Sequence, residues 1–325
     1  MVSYDGLGLT LAFVSSTADA CHEAVQKAVV GYLPHPELSV AIKSGLIAVV
    51  FAVSYFQQEN NARVRCLETF SDPDFLLAWA VAGAINVTAN LLMIVGMRRG
   101  QISDTVPFLS LSPIFLLASG YIFLGELMDS KGVVGVATVA LGGLWLSRAS
   151  VTAGEAKRVP VPQKLLSSLV PPGADVYILI AMIQSVSSAF DKRGVRAAAS
   201  PMLYGATISS TVSLCSLLKF AWQTLNAGSD QDKWSPDVTT ASVTSKYPKH
   251  MKCLSLTLLA CALKMIAYYT QLKANERMYS AHLSAIRKSG MLLVLLLGRL
   301  IFNEEVGRKW LPVSTMVVGV GLLAA

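Results

Sequence analysis

An all-α integral membrane fold of ten transmembrane helices, arranged as two inverted five-helix repeats, is predicted by three features of this chain. The first is composition. Of 325 residues 53% are hydrophobic and 14% charged, where a soluble domain carries about 25% charged residues; mean hydropathy is +0.53. The second is a run of ten apolar stretches, most near the roughly 20 residues that a spanning helix needs. The third is internal similarity. At an offset of 178 residues Gly120 falls on Gly298, Glu126 on Glu304 and Lys131 on Lys309. At an offset of 165, Lys27 falls on Lys192 and Pro36 on Pro201.

The first five spans are expected at 7–31, 37–56, 74–97, 103–126 and 131–147, the second five at 174–198, 202–223, 252–274, 279–302 and 308–325. Because five is odd, the second copy enters the membrane from the opposite side, so the halves are inverted repeats. Residues 1–150 form the first unit, 151–173 a connector and 174–325 the second unit. The connector carries Glu155, Lys157, Arg158, Lys164 and the prolines Pro160, Pro162, Pro171 and Pro172. The difference between the offsets is taken up in the polar stretch from Trp222 to Met251, longer than its counterpart from Gln57 to Pro73. Within it, 226–250 lacks apolar periodicity and reads as an exposed, mobile loop. Pro107 and Pro113 predict a kink in the fourth span, since a helix-interior proline frees a carbonyl that a neighbour must satisfy. Gly132, Gly135, Gly142, Gly143, Gly319 and Gly321 read as surfaces for close helix packing.

The net charge of +7 reflects loop lysines and arginines that orient the chain and implies no nucleic-acid partner; they are more numerous opposite the termini, which favours termini outside. Of five cysteines, Cys21, Cys215, Cys253 and Cys261 lie in or beside helices and Cys66 in a loop, so no disulfide framework is implied. Met1 to Gly6 lacks the basic region of a signal peptide, and the first helix is expected to stay. No phosphate-cradling loop, His-Glu-x-x-His motif or nucleophile elbow is present, and His22, His35, His250 and His282 are scattered. Neither an enzyme nor a cofactor is expected.

Ionisable groups at membrane depth cost about 2.5–3.5 kcal/mol on insertion scales and call for a reason. Ser15, Asp19, Glu23 and Lys27 stand four apart on one face of the first helix. They form either a self-neutralising ladder or, through Asp19 or Glu23, a coupling carboxylate. Asn86 and Asn90 of the third span fall on Lys264 and Tyr268 of the eighth at the offset of 178, with Gln271 nearly a turn further on. A polar pair kept in place while its chemistry diverges suits an asymmetric substrate on a symmetric scaffold; interhelical hydrogen bonds are the plainer reading. Lys264 has no acidic neighbour in its own helix, so its partner is either substrate or a carboxylate of the first or sixth span. Arg287 and Lys288 of the ninth point about 100° apart, so one reads substrate while the other pairs or snorkels. Arg299, near Glu304 and Glu305, reads as an interface anchor.

The stretch Ala281-His282-Leu283-Ser284-Ala285-Ile286-Arg287-Lys288-Ser289-Gly290, followed by Leu297 to Glu305, resembles the EamA-type ten-helix carriers of the drug/metabolite transporter superfamily. Ser112-Pro113 through Gly125-Glu126 looks like the same unit, and Phe190-Asp191-Lys192 with Ser200-Pro201 like the start of the second; Asn303 stands where the second Gly-Glu has its glycine. The resemblance covers essentially the whole chain. It implies a multi-pass secondary transporter of a small polar metabolite, an amino acid or organic anion, working by alternating access through a cavity lined chiefly by helices 1, 3, 4, 6, 8 and 9. A coupling proton or a counter-substrate would be its partner alongside the lipid bilayer. A sugar-phosphate or nucleotide-sugar exchanger remains an alternative because those carriers also have a basic pair in the ninth helix; a non-transporting scaffold or receptor on the carrier fold is the other. The site residues expected are Asn86, Asn90, Lys264, Tyr268, Gln271, Arg287 and Lys288 for substrate, with Asp19 and Glu23 for coupling.

Overall fold

A computed structural model of the protein describes residues 6–30, 36–59, 61–99, 106–155, 174–226, 249–288, 290, 293 and 310–324. Among the described residues there are eleven α-helices and one 3-10 helix, and no strand. They are α1 (Gly6–Val30), α2 (Pro36–Gln58), α3 (Ala62–Ser71), α4 (Pro73–Arg99), the 3-10 helix (Val106–Leu111), α5 (Ser112–Leu124), α6 (Ser130–Glu155), α7 (Ala174–Ala197), α8 (Pro201–Asn226), α9 (Lys249–Asn275), α10 (Ser280–Lys288) and α11 (Trp310–Ala324). Residues 227–248 of the 226–250 loop and the connector from 156 onward lie outside the described residues, as does most of the ninth span past Lys288, with Arg299 and residues 303–305; Lys249 and His250 open α9 instead.

Among the described residues, four helical stretches are long and apolar enough to cross a membrane: Val40–Gln58, Pro73–Met93, Ala174–Ala197 and Pro201–Leu225. Shorter apolar helices run Phe108–Leu124, Ser130–Leu146 and Leu311–Leu323. Their outer faces present Val49, Val53 and Phe56 on α2 and Leu214, Leu218 and Leu225 on α8, all exposed. Inward positions are small: Ala12, Ala78, Ala82, Ala140, Ala181, Ala189, Ala267, Ala274 and Ala285 are buried. Apolar outside and small inside suits helices that associate in lipid by close backbone approach.

Prolines mark the starts of α2, α4 and α8, where a missing N–H costs nothing. The fourth span is broken as its prolines predict. Pro113 cannot continue an α-helix from the preceding turn; the chain runs as a 3-10 helix to Leu111, and the Ser112 hydroxyl donates to the Leu109 carbonyl at 2.7 Å. Helix α5 ends at Gly125, which has φ 64°, the left-handed conformation glycine adopts without cost. The Glu126 N–H then returns to the Gly120 carbonyl at 3.1 Å.

Helix α3 was not anticipated, since its sequence reads as a polar connection. Its stripe is Ala62, Cys66, Thr69 and Phe70, at helical spacing. Cys66 and Phe70 pack on a small core of Tyr55, Ala62 and Leu203, and the Tyr55 hydroxyl donates to the Ala62 carbonyl at 3.1 Å. Interleaved Arg63, Arg65 and Glu68 obscure that period.

Helix α1 packs along α9, α4 along α7, α2 along α8 and α6 along α11, with further contacts of α5 to α7, α10 to α1 and α5 to α10. At the α6–α11 seam a Cβ on Gly142 would sit 2.6 Å from Met316 Cγ, and one on Gly319 would sit 2.8 Å from the Val139 backbone nitrogen. Gly135 is equally tight, with Leu323 Cγ at 2.8 Å, so these three glycines do serve packing. Gly321 does not: nothing lies within 4 Å of the place its Cβ would take.

Candidate functional site

Small residues bring α1 against α9 and α10. The Ser15 hydroxyl donates to the Ala267 carbonyl at 2.9 Å, and Ser16 reaches the Arg287 carbonyl at 3.2 Å. Gly290 permits that approach, since a Cβ there would lie 2.6 Å from Ser16 Oγ. One turn further along α1, Asp19 receives two cations. Lys264 Nζ lies 2.8 Å from Asp19 Oδ1, and the Arg287 guanidinium donates to Oδ2. The three side chains keep 15% exposure for Asp19, 24% for Arg287 and 33% for Lys264, so the cluster is partly buried. Among the described residues, buried Arg287 Nε has no hydrogen-bond acceptor. Lys264 thus has the cross-bundle carboxylate that its own helix lacks. The side chains of Glu23 and Lys27 lie outside the described residues.

A third cation was missed in the sequence. Lys43 of α2 lies within electrostatic reach of Lys264 and Asp19, and its Nζ is 3.4 Å from His22 Nε2. The signal was available, a lone lysine seven residues into an apolar span.

The remaining expected residues divide. Asn86 Nδ2 donates to the Ala82 carbonyl and to Ser187 Oγ of α7, both at 2.9 Å. Asn90 Nδ2 donates back to the Asn86 carbonyl at 2.8 Å. The plainer reading, hydrogen bonding within and between helices, therefore describes both amides. Tyr268 stacks on Phe51 with ring centroids 5.9 Å apart and lies within electrostatic reach of Asp191. Gln271 is half-buried on α9, and Lys288 half-buried at the end of α10. The structure brings Asp19, Lys264 and Arg287 together directly, while Asn86 reaches Ser187 of α7 and Asn90 bonds within its own helix.

Two further constellations involve α7. At its buried face Asp191 accepts a hydrogen bond from the Tyr204 hydroxyl at 2.8 Å. Gly194 makes this possible: a Cβ there would fall 2.2 Å from the Tyr204 ring. Next along the chain, Lys192 Nζ lies 2.5 Å from Glu126 Oε1 and 2.6 Å from the Met278 carbonyl. Glu126 Oε2 accepts the Ser280 backbone N–H at 3.1 Å, at the first residue of α10. The left-handed Gly125 turns the chain so that Glu126 points back to this junction. Both residues mark the repeat in sequence, but spacing alone does not show that they pair. A cleft of about 360 Å³ lined by Arg65, Glu68, Thr69, Asp72 and Ala197 to Ala199 opens elsewhere, beside α3.

An apolar-faced, alanine-cored bundle with charges gathered between its helices defines a multi-pass integral membrane protein. Residues 6–148 match the EamA-like transporter family, as the resemblance to the drug/metabolite transporter superfamily leads one to expect, and that family points to a membrane transporter. A solved crystal structure is similar over 99% of this chain and 99% of its own, at 16% identity and a TM-score of 0.70; at that identity the likeness shows the fold alone. No curated protein matches the chain.

Proposed function

We propose that this protein is a secondary transporter that moves a small organic anion by alternating access, and that Lys264 and Arg287, with Lys43 beside them, read its negative charge. The observation that carries this is the charge imbalance around Asp19. Two cations contact one partly buried carboxylate and a third lies within electrostatic reach of it, and among the described residues the Arg287 Nε–H has no acceptor. Buried charge is retained at membrane depth where it has a task, and an anion replaces Asp19 on Lys264 and Arg287 without leaving either unpaired. Asp19 then acts as the internal counter-ion of the empty carrier. Lys288 and Gln271 complete the substrate-reading set, and Tyr268 packs beside it. Asn86 and Asn90 position α4 against α7.

The helix pairing supports the two-repeat reading. Exchanging the spans of one half for those of the other turns α1 with α9 into α7 with α4, and α10 with α1 into α5 with α7; α2 with α8 and α6 with α11 map onto themselves. A transport cavity between the repeats would suit that arrangement, and the family match supports a transporter.

The test is uptake into proteoliposomes from a panel of labelled carboxylates, amino acids and sugar phosphates. Anions are expected to be taken up, with Lys264→Met inactive at near-normal abundance. Uptake confined to neutral or cationic solutes, or a well-expressed Lys264→Met that transports at the unmutated rate, would overturn the reading. Uptake confined to sugar phosphates would place the protein with the phosphate exchangers.

A further inference from the structure

Asp19 is held by two cations in direct contact, which keep it ionised. Asp191 is placed differently. It is buried at 8% exposure, and its hydrogen-bonding partners are hydroxyls: Tyr204 of α8 at 2.8 Å on Oδ1, and Ser187 one turn earlier on its own helix. Asn86 of α4 donates to Ser187 Oγ, which leaves the Ser187 O–H to point at the carboxylate. Facing Asp191 from the other elements are Tyr268 of α9 and Arg287 of α10. Arg287 is in contact with Asp19 instead and reaches Asp191 only through space. The neighbouring Lys192 on α7 is committed to Glu126 and the Met278 carbonyl.

We propose that Asp191 is a proton-binding site that couples proton entry to anion binding at Lys264 and Arg287. The proposal rests on the anion-carrier reading above. A carboxylate in a low-dielectric interior, with hydroxyl donors and, among the described residues, no cation in contact, favours taking up a proton. The proton adds to Oδ2, since Oδ1 accepts from Tyr204, and one negative charge disappears beside Arg287. With Asp191 ionised, the group of Lys43, Lys264, Arg287, Asp19 and Asp191 carries one net positive charge. With Asp191 protonated it carries two, so an anion binds better after the proton. By reciprocity, a bound anion favours the proton. The consequence is co-transport of proton and anion in one direction, with Asp191 in the role that sequence reading gave to Asp19 or Glu23.

The experiment is difference infrared spectroscopy on the purified full-length protein in nanodiscs, between about pH 8 and pH 5, above the range in which exposed carboxylates titrate. A coupling group that works near neutral pH must change state in this window. The expected result is a protonated-carboxyl carbonyl band at the acid end. It should be lost in Asp191→Asn, kept in Asp19→Asn, and shifted to higher frequency in Tyr204→Phe, which deletes the hydroxyl donor. Absence of the band in the unmutated protein, its survival in Asp191→Asn, or an unmoved band in Tyr204→Phe would overturn the assignment. Where Asp191→Asn fails to fold, Tyr204→Phe decides alone. No substrate is added, so failure here leaves the uptake assay to judge the carrier reading separately.

Discussion

Two ionic clusters tie α10 to the rest of the bundle, and they are built to opposite specifications. At its start, Lys192 and Glu126 are 4% and 11% exposed, and their remaining bonding capacity is taken by the Met278 carbonyl and the Ser280 N–H. At its end, Lys264, Arg287 and Asp19 are 33%, 24% and 15% exposed, and among the described residues two cations share one carboxylate and a guanidinium N–H has no acceptor. A sealed, balanced pair has nothing left to offer a ligand and so acts as a joint between helices. An open, unbalanced one can exchange its internal carboxylate for a ligand carboxylate. On the proposed reading, exposure and the ratio of charges among the described residues separate structural from functional charge here, where residue type does not.

The comparison breaks most decisively at the joint. Glu126→Gln leaves the Lys192 ammonium buried beside a neutral amide. Removing one partner of a buried pair typically costs about 3–5 kcal/mol. A large fall in folded membrane abundance is expected, read by fluorescence-detected size exclusion, with partial recovery when Lys192→Met is added. An abundant, monodisperse Glu126→Gln protein would show that the junction is not a joint.

Lys264→Met should do the reverse. Lys264 is 33% exposed and Arg287 still neutralises Asp19, so the melting temperature should fall less than in Glu126→Gln while anion uptake is lost. A collapse in abundance that Asp19→Asn rescues would instead make this cluster a second joint.

A smaller effect is expected at Gly125, whose positive φ aims Glu126. Gly125→Ala strains that backbone by about 1 kcal/mol, whereas Asn, which tolerates the left-handed region better, should cost less. The second repeat carries Asn303 at the corresponding place. Thermal melts of the two variants that ranked Ala as the milder change would contradict the role given to this turn.

How much of this was legible follows from the periods involved. Long apolar runs gave α2, α4, α7 and α8 to within a few residues, because burial in lipid imposes one requirement on every position of a span. The break in the fourth span followed from Pro107 and Pro113. Helix α3 was not legible: ten residues with three charges interleaved hide a stripe of four contacts. Lys264 could be singled out from its own helix, but Asp19 as its partner could not, being 245 residues away. At Asn86 and Asn90 spacing left two readings open, substrate or interhelical hydrogen bonds, because a shared position in a duplicated scaffold suits either; Asn86 makes such a bond to Ser187. The Lys192–Glu126 contact needed the geometry of Gly125 and of the turn before α10, neither of which is written in spacing.

The smallest effect sharpens the comparison within a single helix. Arg193 follows Lys192 directly and pairs with Asp74 of α4, yet these two side chains are 37% and 59% exposed. The chemistry resembles that of the joint, but the surroundings differ, so Asp74→Asn should cost about 0.2–1 kcal/mol and less as salt is raised. The same salt series should leave the loss in Glu126→Gln nearly unchanged, because a sealed pair is not screened by ions it cannot meet. Melting temperatures of both variants at low and high ionic strength make the measurement. If Asp74→Asn destabilises as much as Glu126→Gln, or if both respond to salt alike, then burial is not what distinguishes the two pairs, and the division between joint and binding cluster loses its physical basis.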